Sequence, residues 1–517
     1  MRIINSLKNM YMGILTQVVM LAITFISRKV FLDSLGTEYL GINGLLTNIL
    51  SMLSLVEGGI GTSIVYNLYK PLAENDEPKI ISLIQLYKKL YGILAIVVFC
   101  LGIGLYPFLH ILIKDFNNIP FIFIVYMIFL TKNIISYLNA HKWSLINADQ
   151  KGYILSKYNL IFNVITNISK IIVLIATNNY ILYLLIETAI FIIQNIWNGR
   201  IVNKRYPYIK TKNKYKVDKE IKDNLVINFK ALIFHKIGGY CVLGTDNILI
   251  SIFVNLKAVG FYSNYSMIMT QLSNLISPIL GGVSESVGNL IATESKEKNY
   301  KIFKVIYLVN FWIYSVSVIF LYNLLEPFID WWLGKGLLLD KLTFIAILIN
   351  FYLTGLRISV LNFKIKAGIF DNDKYIPLIE SIINLGGSII LVKYIGLPGI
   401  FIGTIISTIC IPLWIQAKLV YNNIFNKSVL EYLKKYIFYA ILTIIIAIPT
   451  TIVCNCVSYL HDEVTFGMLV LKGIVCMLMP NIMYIIIFYK TEEFKYIWNI
   501  IKPIIFKFKG KIIEEKI

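Results

Sequence analysis

Charged residues are scarce in this sequence. Only 15% of its 517 residues are charged, whereas 57% are hydrophobic, and the mean hydropathy is +0.71. Ordinary soluble domains have a charged fraction of about 25%, so this composition argues against a water-soluble globular protein. It is typical of a polytopic membrane protein.

Metal-binding and disulfide-forming residues are also few. The sequence has six cysteines and four histidines, without an HExxH pattern or the cysteine spacing of a zinc site. Most of the cysteines lie within apolar runs, and we interpret Cys454 and Cys456 as packing residues. The sequence therefore predicts no metal site and no cofactor.

Long polar segments are missing as well. The longest polar loop, residues 201–224, is basic and rich in tyrosine, and it is too short for the extramembrane catalytic domain of a membrane-bound glycosyltransferase or polymerase. We therefore expect no enzyme activity. The first apolar run is long and lacks a clear small-residue cleavage site, so we interpret it as a retained helix rather than a signal peptide.

Apolar runs long enough to cross a bilayer, which takes about 20 residues, occur along the whole chain. We predict fourteen spans, near residues 10–34, 41–69, 89–113, 119–139, 153–176, 180–200, 225–254, 258–292, 302–325, 341–362, 375–395, 397–417, 433–457 and 465–489.

The net charge of +20 suggests nucleic-acid binding at first, but the distribution of the charges indicates membrane topology. With both termini on the cytoplasmic side, the inner tails and loops hold 36 lysines and arginines, and the outer ends and loops hold seven. The positive-inside rule then predicts cytoplasmic termini and an even number of spans. We expect no nucleic-acid partner. A further use of the basic residues is attraction to the negative surface potential of anionic membrane lipids.

The chain contains an internal repeat with an offset of about 220 residues. Gly41 matches Gly260 at an offset of 219, and Asn163 matches Asn384 at 221. Two further blocks match at offsets of 220 and 222: Pro107 and Phe108 with Pro327 and Phe328, and Gly59, Val65, Asn67, Leu68 and Ile80 with Gly281, Val287, Asn289, Leu290 and Ile302. Similar offsets in four separate blocks predict a duplicated lobe of six helices.

The predicted fold is therefore an all-α polytopic membrane protein with about fourteen transmembrane helices. Because each lobe has an even number of spans, an axis along the membrane normal should relate the two lobes. The expected domains are an N-terminal six-helix lobe (1–200), a basic cytoplasmic linker (201–224), a C-terminal six-helix lobe (225–420), two extra transmembrane helices (421–489) and a basic cytoplasmic tail (490–517).

Glycine and proline interrupt two spans that correspond in the repeat. Gly58, Gly59 and Gly61 fall within the second span, and Pro278, Gly281 and Gly282 fall within the eighth. Breaks in corresponding helices point to the binding site of a transporter. Close helix packing through small residues is the alternative.

Several spans contain charged residues, which are costly in lipid and usually face a cavity or a partner. The carboxylates are Glu57, Glu187, Asp246, Glu285 and Glu380. For Lys170, Lys230 and Lys472, reaching water at the membrane surface is the default explanation. We predict that four other cations line a cavity for an anionic substrate, because their charges suit phosphate oxygens. These are Arg28, Lys132, Lys236 and Arg357.

Glu57 and Asp246 are candidates for gating or for binding a coupling proton or sodium ion, with internal pairing as the alternative. At the repeat offset of 219, Arg28 corresponds to Asn247, the residue after Asp246. We therefore consider an ion pair between Arg28 and Asp246 as a latch that closes the outer side. The alternative is that each charge pairs within its own lobe, for example Arg28 with Glu57.

Three segments resemble a known family: SRKVFLDSLGTEYLGINGL, EGGIGTSIVYNLYKPLAENDEPKI and TDNILISIFVNLKAVGFYSNY. They are similar to the polysaccharide flippases of bacterial capsule and O-antigen pathways. These flippases belong to the multidrug/oligosaccharidyl-lipid/polysaccharide exporter superfamily. The resemblance covers most of the chain, including both six-helix lobes, the basic linker and the two additional helices.

This resemblance implies a multi-pass transporter of the cell membrane. Its substrate would be an oligosaccharide linked through pyrophosphate to a polyprenyl lipid, which moves from the inner to the outer leaflet by alternating access. The expected partners are this lipid-linked oligosaccharide, membrane lipids, and a proton or sodium ion for coupling. A multidrug exporter of the same superfamily is the alternative, and it should have an acidic, apolar cavity for cationic drugs.

Overall fold

The computed structural model is helical, as the sequence predicts. It describes residues 2–57, 60–114, 119–217, 236–242, 244–369, 373, 375–459, 463–500 and 502. Within these ranges there is no β-strand, which confirms the all-α membrane fold. Gly58, Gly59 and Lys230 lie outside the described residues, as do parts of the predicted linker and of the predicted C-terminal tail.

Seventeen α-helices have defined bounds in the described part of the chain. In order along the sequence they are α1 (Arg2–Leu53), α2 (Ile60–Glu74), α3 (Glu77–Leu105), α4 (Leu109–Leu112), α5 (Ile122–Leu138), α6 (Ala140–Ala148), α7 (Gly152–Thr177), α8 (Tyr180–Arg205), α9 (Asp246–Phe253), α10 (Leu256–Thr293), α11 (Lys296–Leu333), α12 (Lys341–Lys366), α13 (Ile376–Ile395), α14 (Leu397–Cys410), α15 (Pro412–Val420), α16 (Val429–Tyr459) and α17 (Phe466–Phe488). A 3₁₀ turn at Ser54–Glu57 follows α1, and a π-helical turn at Tyr421–Phe425 follows α15.

Many of these helices are long and apolar enough to cross a membrane. Ten such spans lie within the described ranges, or eleven if α5 and α6, which meet at a bend of 45°, count as one. The chain is therefore a multi-pass membrane protein. The count of fourteen stays a prediction.

Polar side chains cap the first turns of α11 and α12. The Ser295 side chain accepts a hydrogen bond from the backbone N–H of Lys298 at the start of α11. Asp340 accepts one from the backbone N–H of Thr343 at the start of α12. Such caps satisfy backbone donors that have no partner in the first turn, so α11 begins before the predicted run at 302.

Helix α1 contains the turn that the sequence predicts between its first two spans. Helical hydrogen bonding continues to Leu53, but Gly36 has φ 83° and ψ −178°. Few residues other than glycine adopt a positive φ without strain. This break divides α1 into an N-terminal half before Gly36 and a C-terminal half after it.

The chain forms two compact units. Unit 1 comprises Met1–Met267, Pro377–Leu385 and Val392–Ile400, and unit 2 comprises Ile268–Ile376, Gly386–Leu391 and Phe401–Ile517. These bounds come from contacts in space, whereas the lobe bounds at 1–200 and 225–420 come from the repeat and stay a prediction.

Unit 2 has a core of buried aromatic side chains from α11, α16 and α17. Phe311 of α11 stacks on Tyr439 of α16, with ring centroids 4.0 Å apart and planes at 8°. The Phe311 ring also meets Tyr484 of α17 edge to face, at 5.2 Å. Aromatic pairs of this kind contribute about 0.5–1.5 kcal/mol beyond the burial of their area.

Inside unit 1, the C-terminal half of α1 packs against α10 at two glycines. A Cβ atom on Gly41 would lie 2.1 Å from the carbonyl oxygen of Leu256, and one on Gly260 would lie 2.2 Å from that of Thr37. Thr37 and Leu256 are themselves 219 residues apart, like Gly41 and Gly260. The contact is therefore reciprocal, as expected of repeated elements that meet about a two-fold axis, and it supports the repeat.

Candidate functional site

Two lysines share one carboxylate inside unit 1. Lys132 of α5 donates to Oε1 of Glu187 on α8, and Lys170 of α7 donates to Oε2, with Nζ and Oε2 2.5 Å apart. The side chains are 35% (Lys132), 14% (Lys170) and 20% (Glu187) exposed. Lys132 is thus the most accessible of the three.

The register of α7 and α8 places Lys170 and Glu187 at the same level. Lys170 lies seven residues before the end of α7 at Thr177, and Glu187 lies seven residues after the start of α8 at Tyr180. At 1.5 Å per residue, each is about 10 Å from the turn that joins the two helices. Asn179 in this turn caps α8, because its side chain accepts a hydrogen bond from the backbone N–H of Leu182.

Arg28 extends this group of charges through Tyr183. Its Nη1 donates to Oδ1 of the buried Asn264 at 3.4 Å, and its guanidinium lies close enough to Tyr183 to act on it electrostatically. The ammonium of Lys170 lies 4.4 Å from the centre of the Tyr183 ring, a distance typical of a cation–π contact.

We name Arg28, Lys132, Lys170, Tyr183 and Glu187 the Glu187 cluster. Three of its side chains are cationic and one is a carboxylate, so its formal charge at neutral pH is about +2. A cluster with excess positive charge in a membrane protein suits a bound anion, because an anion would neutralise charges that are costly there.

The sequence-based explanation of two lysines is wrong. Lys170 and Lys472 were expected to extend to the membrane surface, but Lys170 is held by Glu187 and Lys472 is only 5% exposed. The equal spacing of Lys170 and Glu187 from the Asn178–Asn179 turn was a signal in the sequence. It became informative only once the bounds of α7 and α8 were known.

Arg357 belongs to unit 2. Its Nη2 donates to Oε1 of Gln416 at 3.0 Å, and its guanidinium acts electrostatically on Tyr432 of α16. Another buried charge pair in unit 2, Lys364 with Asp373, was not identified from the sequence. Arg357 and Gln416 lie 59 residues apart, and no local pattern in the sequence reveals that they meet.

Lys236 is exposed at the start of the described segment 236–242. It has no hydrogen bond or ion pair to any residue that the structure describes. The structure thus brings Arg28 and Lys132 into one cluster, whereas a cavity that includes Lys236 and Arg357 stays a prediction.

Glu57 and Asp246 each meet a phenol. Tyr91 donates to Oε1 of Glu57 at 3.4 Å, and Tyr262 donates to Oδ2 of Asp246 at 3.4 Å. Arg28 donates to Asn264 instead, so neither the ion pair with Asp246 nor the one with Glu57 is formed in this structure. The role of both carboxylates in gating or ion coupling stays a prediction.

Among the residues that the structure describes, no group of three or more histidine, cysteine, aspartate or glutamate side chains is arranged so that it could hold a metal ion.

Solved transporter structures share this fold. A lipid II flippase, MurJ, in its inward closed conformation is 15% identical, with a TM-score of 0.61 over 94% of this chain and 99% of that chain. An inward-facing multidrug resistance MATE family transporter of the MOP superfamily is 12% identical, with a TM-score of 0.58 over 74% of this chain and 91% of that chain. A point mutant of the MATE transporter VcmN of Vibrio cholerae is 13% identical, with a TM-score of 0.56 over 82% of this chain and 99% of that chain.

Neither a protein-family model nor a curated protein sequence matches the chain. Because the structural matches have low identity, they establish the fold alone. This chain shares that fold with the lipid II flippase and the two MATE transporters.

Proposed function

We propose that this protein transports a polyprenyl-pyrophosphate-linked oligosaccharide across the cell membrane, from the inner to the outer leaflet, by alternating access. The excess positive charge of the Glu187 cluster is the observation that carries the proposal. Sugar and pyrophosphate groups cannot cross hydrocarbon unaided, because they would lose their hydration without new partners. The fold shared with a lipid II flippase supports the same class of substrate.

In this mechanism the cations of the cluster replace water around the pyrophosphate. Arg28 offers a planar set of donors that fits two phosphate oxygens at once, and Lys132 offers a compact charge. Glu187 holds Lys132 and Lys170 in place when no substrate is bound. The polyprenyl chain stays in the lipid, so only the polar head needs a path through the protein.

A multidrug exporter is the second candidate, because MATE transporters share the fold. A cationic drug would be repelled by a cluster of three cations and one carboxylate, which favours the anionic substrate. Glu57 and Asp246 are the carboxylates that we propose for gating or for coupling to protons or sodium ions.

The test is lipid-linked sugar transport in liposomes containing the purified protein. A fluorescent polyprenyl-pyrophosphate oligosaccharide serves as the substrate, and a protein-free liposome gives the background. We expect Arg28→Met or Lys132→Met to weaken transport about 10- to 100-fold at limiting substrate, which corresponds to the loss of one charge-assisted hydrogen bond.

Lys29→Met is the matched control. Lys29 is adjacent to Arg28 but pairs with Asp33 at 3.2 Å, and the two side chains are 41% and 55% exposed. The Lys29→Met variant should transport like the unaltered protein.

If imposed proton or sodium gradients accelerate transport, Asp246→Asn or Glu57→Gln should remove the acceleration. Export of a cationic dye without movement of the lipid-linked sugar would establish the multidrug alternative instead.

A further inference from the structure

Two cysteines face each other between the last two transmembrane helices. The Sγ atoms of Cys454 on α16 and Cys476 on α17 are 3.5 Å apart. Both residues are free thiols and fully buried. Cys456, two residues after Cys454, is exposed, because a residue two positions away on a helix points to a different side.

A buried cation lies beside this thiol pair. The carbonyl oxygen of Lys472 is 4.0 Å from the Sγ of Cys454, and the Lys472 ammonium is close enough to act electrostatically on both thiols. Leu324 completes the buried cluster with the two cysteines. A nearby ammonium favours the thiolate, which is the form of cysteine that reacts with oxidants, and so opposes the burial that favours the neutral thiol.

We propose that Cys454 and Cys476 are a redox modification site that forms a disulfide when a peroxide reaches it. One thiol gives up its proton, and the thiolate attacks hydrogen peroxide, so that its sulfur becomes a sulfenic acid and hydroxide leaves. That proton neutralises the hydroxide. The second thiol then attacks the sulfenic sulfur, which forms the S–S bond and releases the second oxygen as water. Overall, two thiols and one peroxide give one disulfide and two water molecules.

The position of the pair suits such a bond. Cys454 lies five residues before the end of α16 at Tyr459, which is about 8 Å along the helix axis. In the predicted topology this end of α16 lies on the non-cytoplasmic side of the membrane. Disulfides persist on that side because the cytoplasmic reducing systems are absent there. The bond would tie α16 to α17 covalently, and it does not depend on the transported substrate.

Mass spectrometry of the full-length protein tests the proposal. The detergent-solubilised protein is treated with hydrogen peroxide, its remaining thiols are alkylated, and it is digested with trypsin without reduction. Cleavage after Lys472 separates the cysteines, because peptide 436–472 holds Cys454 and peptide 473–490 holds Cys476. We expect the two peptides joined, with the mass of the sum less two hydrogens, and separated again by a reductant.

Two matched variants identify the sulfur involved, since peptide 436–472 also contains Cys456. Cys456→Ser should retain the joined peptides, and Cys454→Ser should lose them. In Lys472→Met trypsin leaves both cysteines in one peptide, 436–490, so the reaction of this variant is followed by the loss of alkylation at Cys454 and Cys476. That loss should be slower at constant pH if the ammonium activates the thiols. Joined peptides in Cys454→Ser, or unmodified Cys454 and Cys476 under conditions that oxidise the exposed Cys100 and Cys410, would overturn the proposal.

Discussion

At the scale of the residue, Glu187 shows how a membrane protein accommodates several charges. Lys132 and Lys170 come from different helices, and each would be costly if it were alone within a span. Glu187 is shared between them, so one carboxylate relieves the cost of two lysines and still leaves the cluster with a net positive charge.

Replacing this carboxylate should therefore destabilise the fold. We expect Glu187→Gln to lower the free energy of unfolding by about 3–5 kcal/mol, the usual effect of removing one partner of a buried ion pair. The apparent melting temperature of the purified protein in detergent measures the change.

Glu74→Gln provides the control for this measurement. Glu74 pairs with Lys70 at 3.9 Å on an exposed helix surface, where the two side chains are 54% and 80% exposed. Its loss should cost no more than about 0.5 kcal/mol, as is usual for an exposed pair one helical turn apart. Equal melting temperatures for the two variants would show that Glu187 does not stabilise the lysines.

Arg28 and Lys132 were identified as candidate cations from their positions in apolar runs, and the structure brings both into the Glu187 cluster. Lys170 was missed. Its distance from the end of a span made contact with water plausible, and only the packing of α5, α7 and α8 shows that its ammonium turns to Glu187.

At the scale of the element, the crossing of α1 and α10 depends on two glycines. Gly41 and Gly260 each face a carbonyl oxygen of the opposite helix, which lies 2.1 Å and 2.2 Å from the position that a Cβ would take. Since real Cβ atoms do not come so close to backbone oxygen, any side chain there forces the helices apart.

We expect Gly41→Ala and Gly260→Ala each to destabilise the protein by about 1–3 kcal/mol, the usual cost of overpacking. The double variant should lose less than the sum of the two, because the first substitution already separates the helices. Thermal unfolding in detergent measures all three variants.

Gly92→Ala in α3 is the matched control, because a Cβ at Gly92 has nothing within 4 Å. In a helix, alanine is favoured over glycine by about 1 kcal/mol, so this variant should be as stable as the unaltered protein or more so. Additive losses for Gly41→Ala and Gly260→Ala would indicate that the two substitutions act at separate places rather than on one crossing.

At the scale of the whole molecule, basic residues determine the predicted orientation. Lysines and arginines are concentrated in the segments assigned to the cytoplasm, including the loop after α8 and the C-terminal tail. The retention of positive charge on the cytoplasmic side during insertion favours this arrangement.

Reporter fusions check this orientation. Alkaline phosphatase fused after Lys210, in the loop that follows α8, should be inactive, because the enzyme folds only outside the cytoplasm. The same reporter after Gly336, in the loop between α11 and α12, should be active. A fluorescent protein that folds only in the cytoplasm should give the opposite result at both positions, and equal reporter activity at the two sites would rule out the predicted topology.

The sequence by itself determined the membrane class, the helical fold and the position of most spans, whereas the repeat stays a prediction. These properties follow from local stretches, since hydrocarbon requires each spanning segment to satisfy its own backbone hydrogen bonds and to expose apolar side chains. The bounds of α7, α8, α12, α13 and α17 accordingly lie close to the predicted runs.

Only the tertiary structure decided which functional groups meet. Lys170 and Glu187 are paired by the register of neighbouring helices, Arg28 reaches Asn264 across 236 residues of sequence, and Cys454 meets Cys476 rather than the nearby Cys456. Hydropathy determines that a helix lies in the membrane but leaves its rotation about its axis open. That rotation, which is set by packing against other helices, determines the partner of each charge and thiol.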